Sequence, residues 1–286
     1  MFGSMAGERR IGQEVEISVR GAHCMVGTVR LHYLEFDSGA GGRPMLILPG
    51  ITSPAATWAF VARHLAKDRR VIVADIRGRG MSDNRPGLGY GLDDYSSDAL
   101  GMMHAADIEQ PILLGHSMGA RIGVRLAARN PSALSSLILV DPPLTGPGRA
   151  PYPTALQSYL SAHEAASRGA TVDEFRRFNP TWTEAQIADR LEWLPTCLPE
   201  AITATYANFY SEDIHSDLRL IDCHTLLIRA AQARVVTSEG AQEVTSLLKH
   251  GEAAEIAAGH MIPWDNLPDF LDCVLAYLRA REHGHP

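Results

Sequence analysis

Short apolar runs alternate with longer amphipathic stretches along this 286-residue chain. The runs have the length and composition of buried strands, and the stretches between them repeat their apolar positions with a helical period. The runs predicted as strands span residues 29–36, 45–48, 71–74, 112–114, 137–140, 225–228 and 253–256. The stretches predicted as helices span residues 54–67, 93–107, 120–129, 238–249 and 265–281. This alternation predicts an α/β fold, with a mostly parallel sheet flanked by helices.

The pattern changes between residues 142 and 218, which contain eight prolines and two tryptophans and show helical periodicity without a clear strand. Such a segment is typical of a helical lid inserted into an α/β core. The predicted organisation is a polar N-terminal segment at 1–26, a core formed by 27–144 and 219–282, and a lid at 145–218.

Composition and charge indicate which partners and which cellular location to expect. The formal net charge is −7 and the basic residues are scattered, so nucleic acid is not an expected partner. No apolar run is long enough to cross a membrane, and residues 1–20 lack the apolar centre of a signal peptide, so we expect a cytoplasmic protein without membrane contact. The four cysteines form no C-x-x-C pair, and neither a metal nor an organic cofactor is expected. The expected partner is a small-molecule substrate, and no oligomeric state is indicated.

Residues 115–119 read Gly-His-Ser-Met-Gly and lie between a predicted buried strand and a predicted helix. A G-x-S-x-G pattern in this setting is typical of a nucleophile elbow, in which small neighbours let the chain turn sharply and present the serine hydroxyl. The sequence therefore predicts Ser117 as a nucleophile.

A serine nucleophile needs a histidine base, and His260 is the best placed of the twelve histidines. It follows the last predicted strand and stands beside a glycine, so it should reach the same edge of the sheet as Ser117. The other histidines lie in helical, terminal or lid surroundings, or directly precede the nucleophile.

The acid that orients this histidine commonly follows the strand after the lid, predicted here at 225–228. No carboxylate appears there before Glu239. Asp141 instead follows the strand at 137–140, one strand from Ser117, and two prolines follow it. Asp141 is the predicted acid, and Glu239 stays open as the alternative.

The turn that begins at Gly50 and the residue after the nucleophile predict an oxyanion hole formed by the backbone N–H groups of Ile51 and Met118. Residues 75–80 read Asp-Ile-Arg-Gly-Arg-Gly but lack the features of a dinucleotide fingerprint, so this loop is interpreted as structural.

Five runs, at 49–54, 75–80, 114–121, 140–143 and 258–265, together resemble the α/β-hydrolase family. Within that family they are similar to the deformylases that act on N-formylmaleamate, in which the acid also lies in the Val-Asp-Pro-Pro run. The resemblance implies a serine hydrolase that cleaves a C–N amide bond of a small acid, giving maleamate and formate. A carboxylesterase, a C–C bond hydrolase, a cofactor-independent dioxygenase and a non-catalytic receptor on the same scaffold remain alternatives.

The implied substrate carries a carboxylate, and such a charge in a closed site needs a cation or several hydrogen-bond donors. Arg121, one turn after the nucleophile, and Arg149, after the prolines that follow Asp141, are candidates. The hydroxyls of Thr52 and Ser53, or His215 from the lid, are the alternative donors.

Overall fold

The computed structural model describes residues 15–85 and 87–282, which form one eight-stranded sheet. The strands are β1 (Ser18–Val26), β2 (Val29–Asp37), β3 (Gly42–Leu48), β4 (Arg69–Asp75), β5 (Ile112–His116), β6 (Ser136–Val140), β7 (His224–Ala230) and β8 (Gly251–Ile256). Their order across the sheet is β1-β2-β4-β3-β5-β6-β7-β8. Strand β2 pairs antiparallel with both β1 and β4, and all later neighbours are parallel.

The central strands are apolar because both of their faces are covered. Every residue of β5 and β6 is buried, which explains why these strands appear in the sequence as unbroken apolar runs rather than as alternating ones. The parallel register places the carboxyl ends of β5, β6 and β7 side by side, with His116 opposite Val140 and Val140 opposite Ile228. Side chains that follow these strands therefore meet at one edge of the sheet.

Helices connect the parallel strands, and further helices follow β8. They are α1 (Ala59–Leu65), α2 (Leu92–Ala105), α3 (Met118–Arg129), α4 (Leu156–Ser167), α5 (Val172–Phe175), α6 (Glu184–Trp193), α7 (Pro199–Ser211), α8 (His215–Leu218), α9 (Ser238–Leu247), α10 (Ile262–Asp265) and α11 (Leu267–Glu282). Helices α4 to α8 lie between β6 and β7 in the chain, in the segment for which the sequence predicts a lid. We call residues 145–218 the insertion.

The predicted α/β architecture with a mostly parallel sheet is confirmed. The predicted polar segment at 1–26 differs from the structure, because its last residues, Ser18–Val26, form β1 and pair along their whole length with β2. Residues 1–14 lie outside the described part of the chain. Across the described ranges, no helix combines the length and the apolar character that a membrane crossing requires.

Candidate active site

Ser117 occupies a sharp turn between β5 and α3, with φ 53° and ψ −115°. This backbone conformation is costly for a residue with a side chain, and it persists because the neighbours allow close approach. A Cβ atom on Gly119 would collide with the carbonyl oxygen of Leu48, and one on Gly115 would collide with the backbone of Gly119. The two glycines of the pattern are therefore required by packing, and they leave the serine hydroxyl at the start of α3.

The His260 ring lies between Ser117 and Asp141. Its Nε2 is 3.0 Å from Ser117 Oγ, and its Nδ1 is 2.7 Å from Asp141 Oδ2. His260 reaches this position from the loop between β8 and α10. The three residues are thus brought together in the order nucleophile, base and orienting acid.

Asp141 directly follows β6 and is fully buried. Its second carboxylate oxygen, Oδ1, accepts a hydrogen bond from the backbone N–H of Ala230 at 3.3 Å. Glu239, the alternative acid, lies exposed in the first turn of α9. The structure therefore places Asp141, and not Glu239, against the base.

His116 supports the loop that carries His260. Its Nε2 lies 3.0 Å from the carbonyl oxygen of His260, and since a carbonyl only accepts, Nε2 carries the proton. Burial, with a smaller contribution from His260, lowers the pKa of His116 to about 3. Its ring packs at 5.7 Å from Trp58. A neutral, donating His116 therefore fixes the backbone of the base.

A hydroxyl from the insertion also reaches the base. Tyr152 Oη lies 3.3 Å from His260 Nε2 and 3.1 Å from Tyr159 Oη. Burial raises the pKa of both phenols, so both remain protonated donors. Sequence analysis did not single out either tyrosine, because nothing near them in the chain indicates that they face the nucleophile.

A cavity of about 230 Å³ opens beside Ser117. Its lining includes the turn of residues 50–53, with Ile51, Thr52 and Ser53, and several residues of the insertion. Trp182 of the insertion stacks on Trp264 at 5.5 Å with 12° between the ring planes. The insertion thus contributes both aromatic and polar side chains to the cavity beside the nucleophile.

Arg190, in the middle of α6, lines this cavity. Its guanidinium donates to the carbonyl oxygen of Thr52 and, at 2.5 Å, to Thr52 Oγ1, while its buried Nε–H has no hydrogen-bond partner in the described structure. No carboxylate of residues 15–85 or 87–282 forms an ion pair with it, and burial lowers the pKa of the guanidinium. Arg190 is therefore a cation in the same cavity as the nucleophile, without an anionic partner among the residues described.

The structure places the predicted substrate donors differently from one another. Thr52 and Ser53 line the cavity, whereas Arg121, Arg149 and His215 are not among its lining residues. Arg121 is fully buried and donates to the carbonyl oxygens of Pro143, Thr145 and Glu212, so it ties the insertion to the core.

Arg149 forms an ion pair with Glu243 and borders a separate surface cavity. The Nδ1 of His215 lies 3.1 Å from Asp213 Oδ1. The structure thus places Arg121, Arg149 and His215 outside the lining of the cavity beside Ser117, unlike Thr52 and Ser53.

The predicted oxyanion donors are backbone N–H groups of the turn at 50–53 and of the first residue of α3. Ile51 is the second residue of the turn at 50–53 and lines the cavity, and Met118 follows Ser117 as the first residue of α3. Within the two described ranges, no group of three or more His, Cys, Asp or Glu side chains is arranged to hold a metal ion.

The chain matches the family model of the alpha/beta hydrolase fold over residues 43–267. It is 40% identical over 253 residues to the N-formylmaleamate deformylase of Pseudomonas putida KT2440, covering 88% of this chain and 94% of the relative. It is 35% identical over 116 residues to the 2-(acetamidomethylene)succinate hydrolase of Mesorhizobium japonicum, covering 41% of this chain and 40% of the relative.

The crystal structure of an N-formylmaleamic acid deformylase from Pseudomonas putida S16 superposes with a TM-score of 0.85 and 42% identity. It covers 90% of this chain and 100% of that chain. The resemblance predicted from the sequence motifs is confirmed, and the chain belongs to the alpha/beta hydrolase fold family.

Proposed function

We propose that this protein is a serine hydrolase that cleaves the formyl C–N bond of N-formylmaleamate, giving maleamate and formate. The observation that carries the proposal is the Ser117–His260–Asp141 arrangement beside a small cavity lined by Arg190, whose guanidinium has no carboxylate partner in the described part of the chain. The similarity to N-formylmaleamate deformylases over most of the chain supports the substrate.

The reaction begins with attack of Ser117 Oγ on the formyl carbon. His260 Nε2, at 3.0 Å, accepts the serine proton, and Asp141 stabilises the resulting imidazolium through Nδ1–H. The carbonyl oxygen becomes an oxyanion that accepts hydrogen bonds from the N–H groups of Ile51 and Met118.

The tetrahedral intermediate then collapses and the C–N bond breaks. The leaving nitrogen is also bound to the second carbonyl of the substrate, so it departs more readily than the nitrogen of a simple amine. His260 donates the proton to this nitrogen. Maleamate then departs, and the formyl group stays bound to Ser117 as an ester. Water, deprotonated by the same histidine, attacks the formyl ester and releases formate.

The carboxylate of the substrate is held by Arg190. Of the described residues that line the cavity, Arg190 alone carries a fixed positive charge, and the hydroxyls of Thr52 and Ser53 lie beside it. A guanidinium bonded to an anion forms stronger hydrogen bonds than one bonded to neutral groups. The cavity, at about 230 Å³, is smaller than the ~300 Å³ or more typical of sites for drug-sized ligands, which suits a small acid.

The insertion acts as a lid in this proposal. Its Tyr159, Phe178 and Trp182 line the cavity. Aromatic side chains that displace water from an occupied site strengthen the hydrogen bonds to the oxyanion. A cytoplasmic location and the lack of nucleic-acid and membrane partners stay predictions from composition.

The test is a panel of substrates with the purified protein, measured as formate release. The panel contains N-formylmaleamate, its N-acetyl analogue, a neutral N-formyl amide and a formate ester. We expect N-formylmaleamate to have the highest kcat/KM and Ser117→Ala to abolish the release. A preference for the ester would favour the carboxylesterase alternative, and oxygen uptake without formate would favour the dioxygenase.

A further inference from the structure

Three consecutive carbonyl oxygens in the turn at 50–53 are each held by a hydrogen bond. The oxygen of Gly50 accepts from Ser53 N–H at 3.1 Å, and that of Thr52 accepts from Arg190. The oxygen of Ile51 accepts from Arg79 Nε at 3.0 Å. In a trans peptide the C=O of one residue and the N–H of the next point in opposite directions, so these contacts also fix the N–H groups of Ile51, Thr52 and Ser53. The Gly50 contact fixes the peptide that carries Ile51 N–H, and the Arg79 contact fixes the peptide that follows Ile51.

The guanidinium of Arg79 is fully buried and has no carboxylate partner among the residues that the structure describes. Besides Ile51, it donates to the carbonyl of Arg77, to Tyr95 Oη, to the carbonyl of Ala201 and to Thr205 Oγ1, at 2.7–3.3 Å. These five hydrogen bonds match the five donors of a guanidinium. Arg79 therefore has no donor left for a ligand, in contrast to Arg190.

The contacts of Arg79 connect the turn to the insertion. Ala201 and Thr205 belong to α7, and the backbone N–H of Leu198, just before α7, donates to the carbonyl of Gly78 at 2.8 Å. The loop is held against the core as well, since Asp75 Oδ1 accepts the N–H of Ala55 at 2.6 Å. One guanidinium thus connects the turn at 50–53, its own loop and helix α7 of the insertion.

The loop at 75–80 presents Arg79 in a specific backbone conformation. Gly78 and Gly80, on either side of Arg79, have φ of 79° and 59°, which residues with side chains rarely adopt. A Cβ atom on Gly80 would collide with the carboxylate of Asp75. From the sequence, this loop is interpreted as structural. In the structure, its Gly-Arg-Gly conformation places the Arg79 side chain against the carbonyl oxygen of Ile51.

We propose that Arg79 is a positioning residue for the oxyanion hole: by holding the peptide that follows Ile51, it keeps the turn at 50–53 in the shape that directs Ile51 N–H toward the reacting carbonyl oxygen. Its hydrogen bonds to α7 hold the guanidinium itself in place. This inference rests on the proposed serine hydrolase function. Hydrogen-bond donors to an oxyanion are effective because they are oriented before the reaction, so loosening the turn weakens transition-state binding more than substrate binding.

The test compares Arg79→Lys with wild type in N-formylmaleamate hydrolysis and in inhibition by two probes. Ethylboronic acid forms a tetrahedral adduct with an active-site serine and so reports on the oxyanion hole, whereas the product maleamate reports on ground-state binding. A lysine has no planar fork and cannot reach the turn and α7 together. We expect kcat to fall about 10- to 100-fold, KM to stay within about 3-fold, boronate affinity to fall in parallel with kcat, and maleamate affinity to stay unchanged.

The matched control is Arg77→Lys, two residues away in the same loop. The Arg77 side chain pairs with Asp98 on α2 and makes no described contact with the turn. Because the Arg77–Asp98 pair is buried, we expect this variant to lose thermal stability while kcat and boronate affinity stay within about 3-fold of wild type. Thr205→Val removes one contact of Arg79 with α7, so kcat and boronate affinity should both fall, by less than in Arg79→Lys. This variant provides the test if Arg79→Lys does not fold.

Equal losses in the Arg79→Lys and Arg77→Lys variants would overturn the inference, as would a fall in kcat with unchanged boronate affinity. Wild-type protein that releases no formate would instead refute the proposed function.

Discussion

The Nδ1 atom of His260 lies 2.7 Å from the carboxylate of Asp141, and that aspartate follows the strand directly next to the strand of Ser117. Ser117 and Asp141 both have positive φ, 53° and 45°, at the ends of β5 and β6. The chain turns away from the sheet at both points, which leaves the imidazole room to contact both side chains. Because Asp141 fixes the proton on Nδ1, Nε2 is free to accept the proton of Ser117.

Replacing Asp141 by Asn should lower kcat by about 10³- to 10⁴-fold, because an amide group favours the wrong tautomer of His260. The measurement is steady-state formate release. Glu239→Gln is the matched control, since Glu239 is exposed on α9, and it should change kcat by no more than about 2-fold. A larger loss in the Glu239 variant than in the Asp141 variant would move the acid to α9.

Replacing Ser117 by Ala should lower turnover by several orders of magnitude while the fold is retained. Alanine is similar in size, and the two glycines that permit the turn remain. Circular dichroism and the melting temperature check the fold, and formate release checks the chemistry. Retention of a tenth of wild-type turnover would exclude Ser117 as the nucleophile.

Sequence patterns predicted the central sheet because its strands are buried on both faces, so that β5 and β6 appear as apolar runs. Strand β1 was not predicted from the sequence, because it lies at the edge of the sheet. Its residues alternate only weakly and most of them are exposed, so nothing local distinguishes the strand from a polar tail. Its pairing with β2 is a tertiary contact.

The candidate site, too, contains residues that the sequence pattern predicts and a residue that only tertiary packing brings there. Ser117, Asp141 and His260 each follow a strand, and parallel strands bring their carboxyl ends to one edge, so topology alone predicts that they meet. Arg190 lies on an insertion helix whose path over the sheet is set by tertiary packing. One signal was available: Arg190 comes three residues after the buried Ile187, so both lie on the inward face of α6.

Replacing Arg190 by Met should reduce binding of the charged substrate selectively. Loss of hydrogen bonds to a charged group costs ~1.5–3 kcal/mol, so we expect KM for N-formylmaleamate to rise roughly 10- to 100-fold. Because Arg190 also holds the carbonyl of Thr52, a neutral N-formyl amide should lose some activity too. The deciding quantity is therefore the ratio of kcat/KM for the charged and neutral substrates.

Arg149→Met is the control for a lost positive charge near the insertion, since Arg149 pairs with Glu243 and does not line the cavity beside Ser117. It should leave that ratio unchanged. An unchanged ratio in the Arg190 variant would mean that hydroxyls and backbone donors hold the carboxylate.

His116 should make the fold sensitive to acid. Its pKa is about 3 in the folded protein, against about 6.5 for an exposed histidine, because burial disfavours the charged ring. Between these pH values His116 binds a proton in the unfolded chain but not in the folded chain. As pH falls from about 6.5 toward 3, the free energy of unfolding therefore decreases by up to about 1.4 kcal/mol per pH unit. Above about pH 6.5 the contribution is constant.

Replacing His116 by Gln removes the titrating ring but keeps an N–H donor that can serve the carbonyl of His260. We expect the variant to be less stable than wild type at pH 7.5, since it loses ring packing against Trp58, yet to lose less further stability between pH 6.5 and 4. Urea unfolding at several pH values measures both effects, with His104→Gln, at an exposed position on α2, as the control. Because the prediction concerns the slope rather than the absolute stability, parallel curves for wild type and His116→Gln would show that the acid sensitivity arises from other groups.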